Sequence, residues 1–179
     1  MRFEQTTIAG VYIINIDPVE DVRGFFARLW CRDEAMSRGL VADFAQTSVS
    51  FNARVGTTRG MHYQAAPHQE VKLVRCTAGA IYDVVIDLRP DSPTYAKWFA
   101  AELTARNRRT IYVPKGVAHG FQTLRPDTEV LYHISEAYIP QLAGGVRWND
   151  PLFAIDWPRV PTVISDRDSS YPDLSVTIP

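Results

Sequence analysis

The sequence predicts an all-β fold, a sandwich or barrel of short strands with a few short helices. Three observations predict it. Short β-branched and aromatic runs recur along most of the chain, each ended by Gly, Pro, Asn or Asp. One run, residues 81–88, alternates so that Asp83, Val85 and Asp87 share one face while Tyr82, Val84, Ile86 and Leu88 share the other. Helical signals are confined to one short segment, and many short strands with little helix argue for a sandwich or barrel.

The elements follow in order. Residues 11–16 form a β-branched run ended by Asp17-Pro18. Residues 33–38 read as a helix, with Asp33 capping its start and Gly39 its end. Residues 72–76 and 81–88 are two further strands, split by Thr77-Ala78-Gly79-Ala80. Residues 109–113 form another, stopped by Pro114, and residues 128–135 continue the pattern. Ser92-Pro93 and Trp157-Pro158 break regular structure. No repeat, linker or low-complexity stretch divides the chain, so residues 1–179 read as one domain.

The 179 residues suffice for one sizeable core, and 46% hydrophobic with 22% charged residues is ordinary for a soluble protein. A net charge of −1 without a basic block gives nucleic-acid binding no electrostatic support. Two cysteines, Cys31 and Cys76, make neither a disulfide framework nor a zinc motif, which points to a reducing cytoplasmic setting. Neither a signal peptide nor a membrane-spanning apolar run is read.

Two glycine-punctuated segments carry histidines. They are Gly56-Thr-Thr-Arg-Gly-Met-His62-Tyr-Gln64 and Pro114-Lys-Gly-Val-Ala-His119-Gly-Phe121. Their spacing resembles the two motifs of cupins, the double-stranded β-helices related to jelly rolls, with both histidines pointing into the barrel. A metal-binding cupin uses three histidines and a glutamate. Here Gln64 replaces the second histidine, and Glu70 stands too far from Gly79 for the usual motif. His62 and His119 therefore lack a complete ligand set, and the barrel reads as metal-free. A histidine without metal can still take a proton. Lys72 opens a strand whose inner face is 72, 74 and 76, so its cation is available to an oxyanion formed when a C–H bond breaks.

Further blocks extend the likeness. Arg59-Gly-Met-His62-Tyr-Gln64, Lys72-Leu-Val-Arg-Cys-Thr-Ala-Gly79 and Asp83-Val-Val-Ile-Asp-Leu-Arg89 resemble segments of the dTDP-4-dehydrorhamnose 3,5-epimerases. So do Trp148-Asn-Asp-Pro151, Ile155-Asp-Trp-Pro158 and Ser165-Asp-Arg-Asp168, and the matching blocks run from Asp21 to Asp168. The resemblance implies an enzyme, an isomerase without cofactor, acting on a nucleotide-linked 4-keto-6-deoxy-hexose. In it His62 is the general base and Asp168 orients it, with Asp166 the alternative in the same turn. Lys72 stabilises the enolate oxygen, and Tyr132 returns a proton from the opposite face. Arg23 and Arg59 match arginines that hold the diphosphate. Gln46, His119 and Arg167 fall at or beside substrate contacts, and Tyr138 falls where the base stacks. The resemblance also implies a homodimer that places residues of the N-terminal region in the partner's site.

Departures from the family pattern fall at Arg28, Thr47, Ser48, Ala143 and Arg167, and they are expected where nucleotide and sugar bind. They bear on which base and sugar are tolerated. Three other readings stand beside the epimerase on this scaffold. They are a 3,4-ketoisomerase, a non-catalytic sugar-nucleotide-binding cupin, and a metal dioxygenase, which Gln64 opposes.

Overall fold

The structure, a computed structural model, describes residues 1–174. Its strands are β1 (Arg2–Gln5), β2 (Tyr12–Asn15), β3 (Val19–Asp21), β4 (Gly24–Phe26), β5 (Gln46–Asn52), β6 (Thr58–Gln64), β7 (Lys72–Ala78), β8 (Ala80–Asp87), β9 (Trp98–Thr104), β10 (Thr110–Val113), β11 (Val117–Thr123), β12 (Thr128–Ile134) and β13 (Ala143–Gly145). The helices are α1 (Arg32–Met36) and the single turn α2 (Asp166–Ser169).

Two antiparallel sheets face each other. One has the order β1-β2-β10-β7-β12-β5 and the other β13-β6-β11-β8-β9, with β3 and β4 forming a separate hairpin. Along the middle of the chain β7, β10 and β12 lie in the first sheet while β8 and β11 lie in the second. This alternation between sheets is the winding of a double-stranded β-helix, so the all-β cupin expectation is borne out.

The alternation read in residues 81–88 has a clear physical counterpart. Ile81 and Val85 join Val74, Cys76, Ile111, Val113, Phe121 and Val130 in the core between the sheets. Val84 and Ile86 turn outward, where Met61, Val146 and Phe153 cover them with Trp157 and Ile155 packed alongside. A third cluster covers the outer face of the first sheet, where Ile14, Val71, Leu73 and Tyr112 meet Trp30, Leu40 and Phe44. Strands buried on both faces carry apolar residues at successive positions.

The helix departs from its expected bounds. Cys31, not Asp33, occupies the cap position, and its side chain makes no capping hydrogen bond. Asp33 lies in the first turn, where its charge suits the positive end of the helix. Gly39 does close the segment. It takes φ +71°, and Leu40 N–H then donates to the Ala35 carbonyl at 3.1 Å.

The end of β8 is fastened by Asp87, which is fully buried. Arg89 Nε donates to its Oδ1 at 2.8 Å, and the hydroxyls of Ser92 and Thr94 each donate to its Oδ2 at 2.6 Å. Burial alone raises this carboxyl, but those hydrogen bonds outweigh it and hold the pKa down to about 2 from an ordinary 3.8. A depressed folded pKa contributes stability that is fully present above pH 3.8 and is lost as pH falls toward 2. The contribution is about 2 kcal/mol. Asp87→Asn is expected to lower the unfolding free energy measured in urea at pH 7 by that amount. It should also remove the matching part of the acid destabilisation in melts between pH 5 and pH 2. An unchanged acid profile would show that Asp87 is not its source.

Candidate active site

One cavity of about 320 Å³ opens between the sheets, lined from β5, β7 and β12 on one side and from β6, β11 and β13 on the other. His62 on β6 and His119 on β11 are direct cross-strand partners, so both side chains emerge on the same face. The two strands approach closely here. A Cβ on Gly60, which takes φ +107°, would stand 2.6 Å from the Cα of Gly120. Glycine at both positions is what lets the strands meet beside the histidines.

Each histidine has a carboxylate behind it. His62 Nε2 lies 2.7 Å from Asp168 Oδ1, and Gly60 N–H donates to Asp168 Oδ2 at 3.0 Å. The turn that holds Asp168 is set by Ser165, which caps α2 by accepting the Asp168 N–H at 3.1 Å. Burial pushes the Asp168 carboxyl up, but hydrogen bonds from His62, Gly60 and Ser165 hold it below the ordinary value. An ionised carboxylate only accepts, so the neutral form of His62 that faces Asp168 carries its proton on Nε2 and has its lone pair on Nδ1. Tyr171 packs edge-on to the His62 ring, with centroids 6.2 Å apart. It occupies the space beside Gly145, where a Cβ would come within 2.2 Å of its ring.

His119 Nε2 lies 2.8 Å from Asp83 Oδ2, and both residues are buried. Burial pushes the Asp83 carboxyl up, and among the described residues its Oδ1 has no hydrogen-bond partner. Tyr132 meets His119 edge-on at 5.9 Å. Burial pushes its phenol far above the ordinary value, and Asp83 adds to this while Arg59 opposes it. Tyr132 therefore keeps its proton across the working range of an enzyme. Lys72 is buried and donates to the His62 carbonyl at 3.2 Å, and Glu70 stands 2.8 Å from its Nζ.

Gln64 is committed to the chain around it. Its Nε2 donates to the carbonyls of His68 and Ala137 at 2.7 and 3.1 Å, and its Oε1 accepts the Ile139 N–H at 2.8 Å. Among the described residues no group of three or more His, Cys, Asp or Glu is placed to hold a metal ion.

A family model for dTDP-4-dehydrorhamnose 3,5-epimerase matches residues 5–175. The chain belongs to the dTDP-4-dehydrorhamnose 3,5-epimerase family. It is similar to the dTDP-4-dehydrorhamnose 3,5-epimerase of Sinorhizobium fredii, at 42% identity over 97% of this chain and 90% of that protein. Its fold is similar to the crystal structure of the Bacillus anthracis enzyme with TDP and PPi bound, with TM-score 0.92, 40% identity, and 97% and 99% of the two chains covered. It is also similar to a 3'-monoepimerase from Streptomyces bikiniensis in complex with dTDP-quinovose, with TM-score 0.86, 29% identity, and 93% and 85% covered. This epimerase family is a family of isomerases.

Of the residues singled out from the sequence of this family member, His62, Lys72, Tyr132, Gln46, Arg59, His119, Tyr138 and Arg167 all line the cavity. Asp168 stands directly behind His62, whereas the alternative Asp166 is exposed, and the hydrogen bond to the ring is made by Asp168. Arg23 is not brought in. It sits on the β3–β4 hairpin, 86% exposed, with its guanidinium paired to Asp21. The departures from the family pattern also divide. Ser48, Ala143 and Arg167 line the cavity, but Arg28 pairs with Glu34 on the surface and Thr47 bonds His133 outside it. A strand's alternation sends Thr47 away from the face that Gln46 and Ser48 share. Asp83, Glu70 and Tyr171 were not among the site residues read from the sequence. The alternation of residues 81–88 did place Asp83 on one face with Val85, and the structure turns that face inward.

No helix among the described residues is long and apolar enough to cross a membrane.

Proposed function

We propose that this protein inverts C3 and C5 of dTDP-4-dehydro-6-deoxy-glucose, with residues 1–179 acting as one domain in the cytoplasm. The observation that carries the reading is a single cavity lined by His62, Lys72 and Tyr132, with Asp168 fixing the His62 tautomer. The C4 ketone acidifies the neighbouring C–H bonds. His62 Nδ1 takes the proton, and the bonding pair moves into the ring as the C4 oxygen becomes an enolate. Lys72 donates a hydrogen bond to that oxygen. Tyr132 then gives its O–H proton to the opposite face of the same carbon, which inverts it. The resulting imidazolium and phenolate reset by exchanging protons with solvent. A phenolate beside the core is costly, and Arg59 is the cation that offsets it. Arg59 is itself steadied by Asn52, whose Oδ1 accepts from Nε at 2.7 Å, and with Arg167 it suits the diphosphate. Tyr138, 55% exposed at the mouth, offers its ring to the base.

Proton NMR in D2O with dTDP-4-dehydro-6-deoxy-glucose tests this reading. Deuterium entering at C3 and C5 with inversion is the expected result. Entry at C3 alone makes the protein a mono-epimerase like the Streptomyces bikiniensis relative. Binding without any exchange, with this or any other nucleotide-linked keto-sugar, reduces it to a sugar-nucleotide-binding protein.

We also propose a homodimer. The β3–β4 hairpin stands apart from both sheets, with Val22 104% and Phe26 80% exposed, while β5, at the edge of the first sheet, has no second neighbour among the described residues and bears exposed Val49 and Phe51. A second copy that covers these surfaces gives Arg23 a diphosphate to meet. Light scattering should return twice the chain mass. Phe26→Glu should shift it toward monomer and reduce kcat/KM by about tenfold or more. A monomer with full activity would remove Arg23 from the binding site.

A further inference from the structure

The approach to β7 places a carboxylate where the proton chemistry has no stated use for one. Residues 70–73 alternate. Val71 and Leu73 pack into the outer cluster under Tyr112, so Glu70 and Lys72 turn together into the cavity. Their side chains are 12% and 9% exposed, and Glu70 Oε1 lies 2.8 Å from Lys72 Nζ. An ammonium has three N–H groups. One faces Glu70 and one the His62 carbonyl at 3.2 Å, which leaves the third for the cavity. Glu70 therefore fixes the rotation of Lys72, and no hydrogen bond within the described residues occupies its other oxygen, Oε2.

We infer that Glu70 is a positioning and specificity-determining residue of this cavity, aiming Lys72 at a ketone oxygen and accepting a hydrogen bond from the hydroxyl on the adjacent carbon. This rests on the epimerase reading above and names the part of the substrate that the site reads. An α-hydroxy ketone sets an acceptor beside a donor, and the Lys72–Glu70 pair offers the reverse. The match is tightest in the enolate formed at C3. There C3 is planar, and its hydroxyl lies in the plane of the C4 oxygen. In the sugar an axial hydroxyl stands well out of that plane and an equatorial one close to it, so the planar enolate is the geometry that both configurations share, and its C4 oxygen carries the charge that Lys72 meets. Contacts that improve on passing to the enolate accelerate the reaction rather than merely tightening binding. Glu70 thus stays a hydrogen-bond acceptor throughout, while His62 and Tyr132 move the protons.

The test compares deuterium uptake at C3 from dTDP-4-dehydro-6-deoxy-glucose and from its 3-deoxy counterpart. Each is measured with the unaltered protein, Glu70→Gln and Glu70→Ala. The ratio of the two rates within each protein does not depend on how much of a variant is folded. In the unaltered protein, deleting the hydroxyl should cost about tenfold or more in kcat/KM, mostly in kcat. In Glu70→Ala it should cost almost nothing, because no acceptor remains to be left unpaired. Glu70→Gln, whose amide oxygen still accepts, should fall between them. Equal ratios in all three proteins would overturn the inference while leaving the epimerase intact. No exchange of either substrate by the unaltered protein would overturn the epimerase reading and this inference with it.

Discussion

His62→Ala is expected to lower deuterium uptake at both C3 and C5 by a factor of about 10²–10⁴, the range for removing a positioned general base. The size of the effect follows from the geometry. His62 is the cavity histidine whose partner, Asp168, is held by three independent hydrogen bonds below the ordinary carboxyl value. That ionised partner stabilises the imidazolium formed when the proton is taken. The side chain is 40% exposed at the cavity wall and Asp168 keeps the Gly60 N–H, so its loss should leave the fold intact at a modest cost in thermal midpoint. Uptake that stays within tenfold of the unaltered rate would transfer the role of base to His119, the other cavity histidine. Its carboxylate partner, Asp83, is the one that burial drives toward the neutral form.

Tyr132→Phe should differ in kind rather than degree. Deuterium should still enter at C3, because His62 still removes the proton and the deuterated imidazolium can return one to the same face. Net inversion should fall by about 10²-fold or more, because phenylalanine has no proton to give from the other face. Sugar recovered part-way through the reaction should therefore carry deuterium with its original configuration, read from the chemical shifts of the remaining ring protons. Exchange and inversion falling by the same factor would make Tyr132 a wall of the cavity rather than its acid. The aromatic packing against His119 is preserved in this variant, which separates the lost proton from lost shape.

Much of the fold was legible in the order of residues because a strand declares its faces locally. The strands β2, β7, β8 and β10 fall where short apolar runs end in Gly or Pro, and β12 follows Pro126-Asp127. The alternation of residues 81–88 separates the inner core from the outer one. The inward face of 72, 74 and 76 was legible for the same reason, and Lys72 does line the cavity. The helix was less so. A five-residue segment carries too few turns to fix its own ends, and its start moved to Arg32 because packing of Ala35, not a capping side chain, holds it.

What the sequence by itself determined is the all-β class, the strand faces, and the two glycine-punctuated histidine segments whose spacing resembles the cupin motifs. Only the tertiary structure decided which carboxylates serve them. Asp168 lies 106 residues from His62, and Asp83 lies 36 from His119. The choice of Asp168 over Asp166 came from the single turn of α2, capped by Ser165 and laid against β6. The tertiary structure likewise set Arg23 outside its own cavity, and Glu70 against Lys72. Periodicity is a property of neighbours along the chain, so it reports which way a side chain points. A hydrogen bond of 2.7 Å between distant segments depends on how two sheets and a terminal turn stack, and no local pattern encodes that distance.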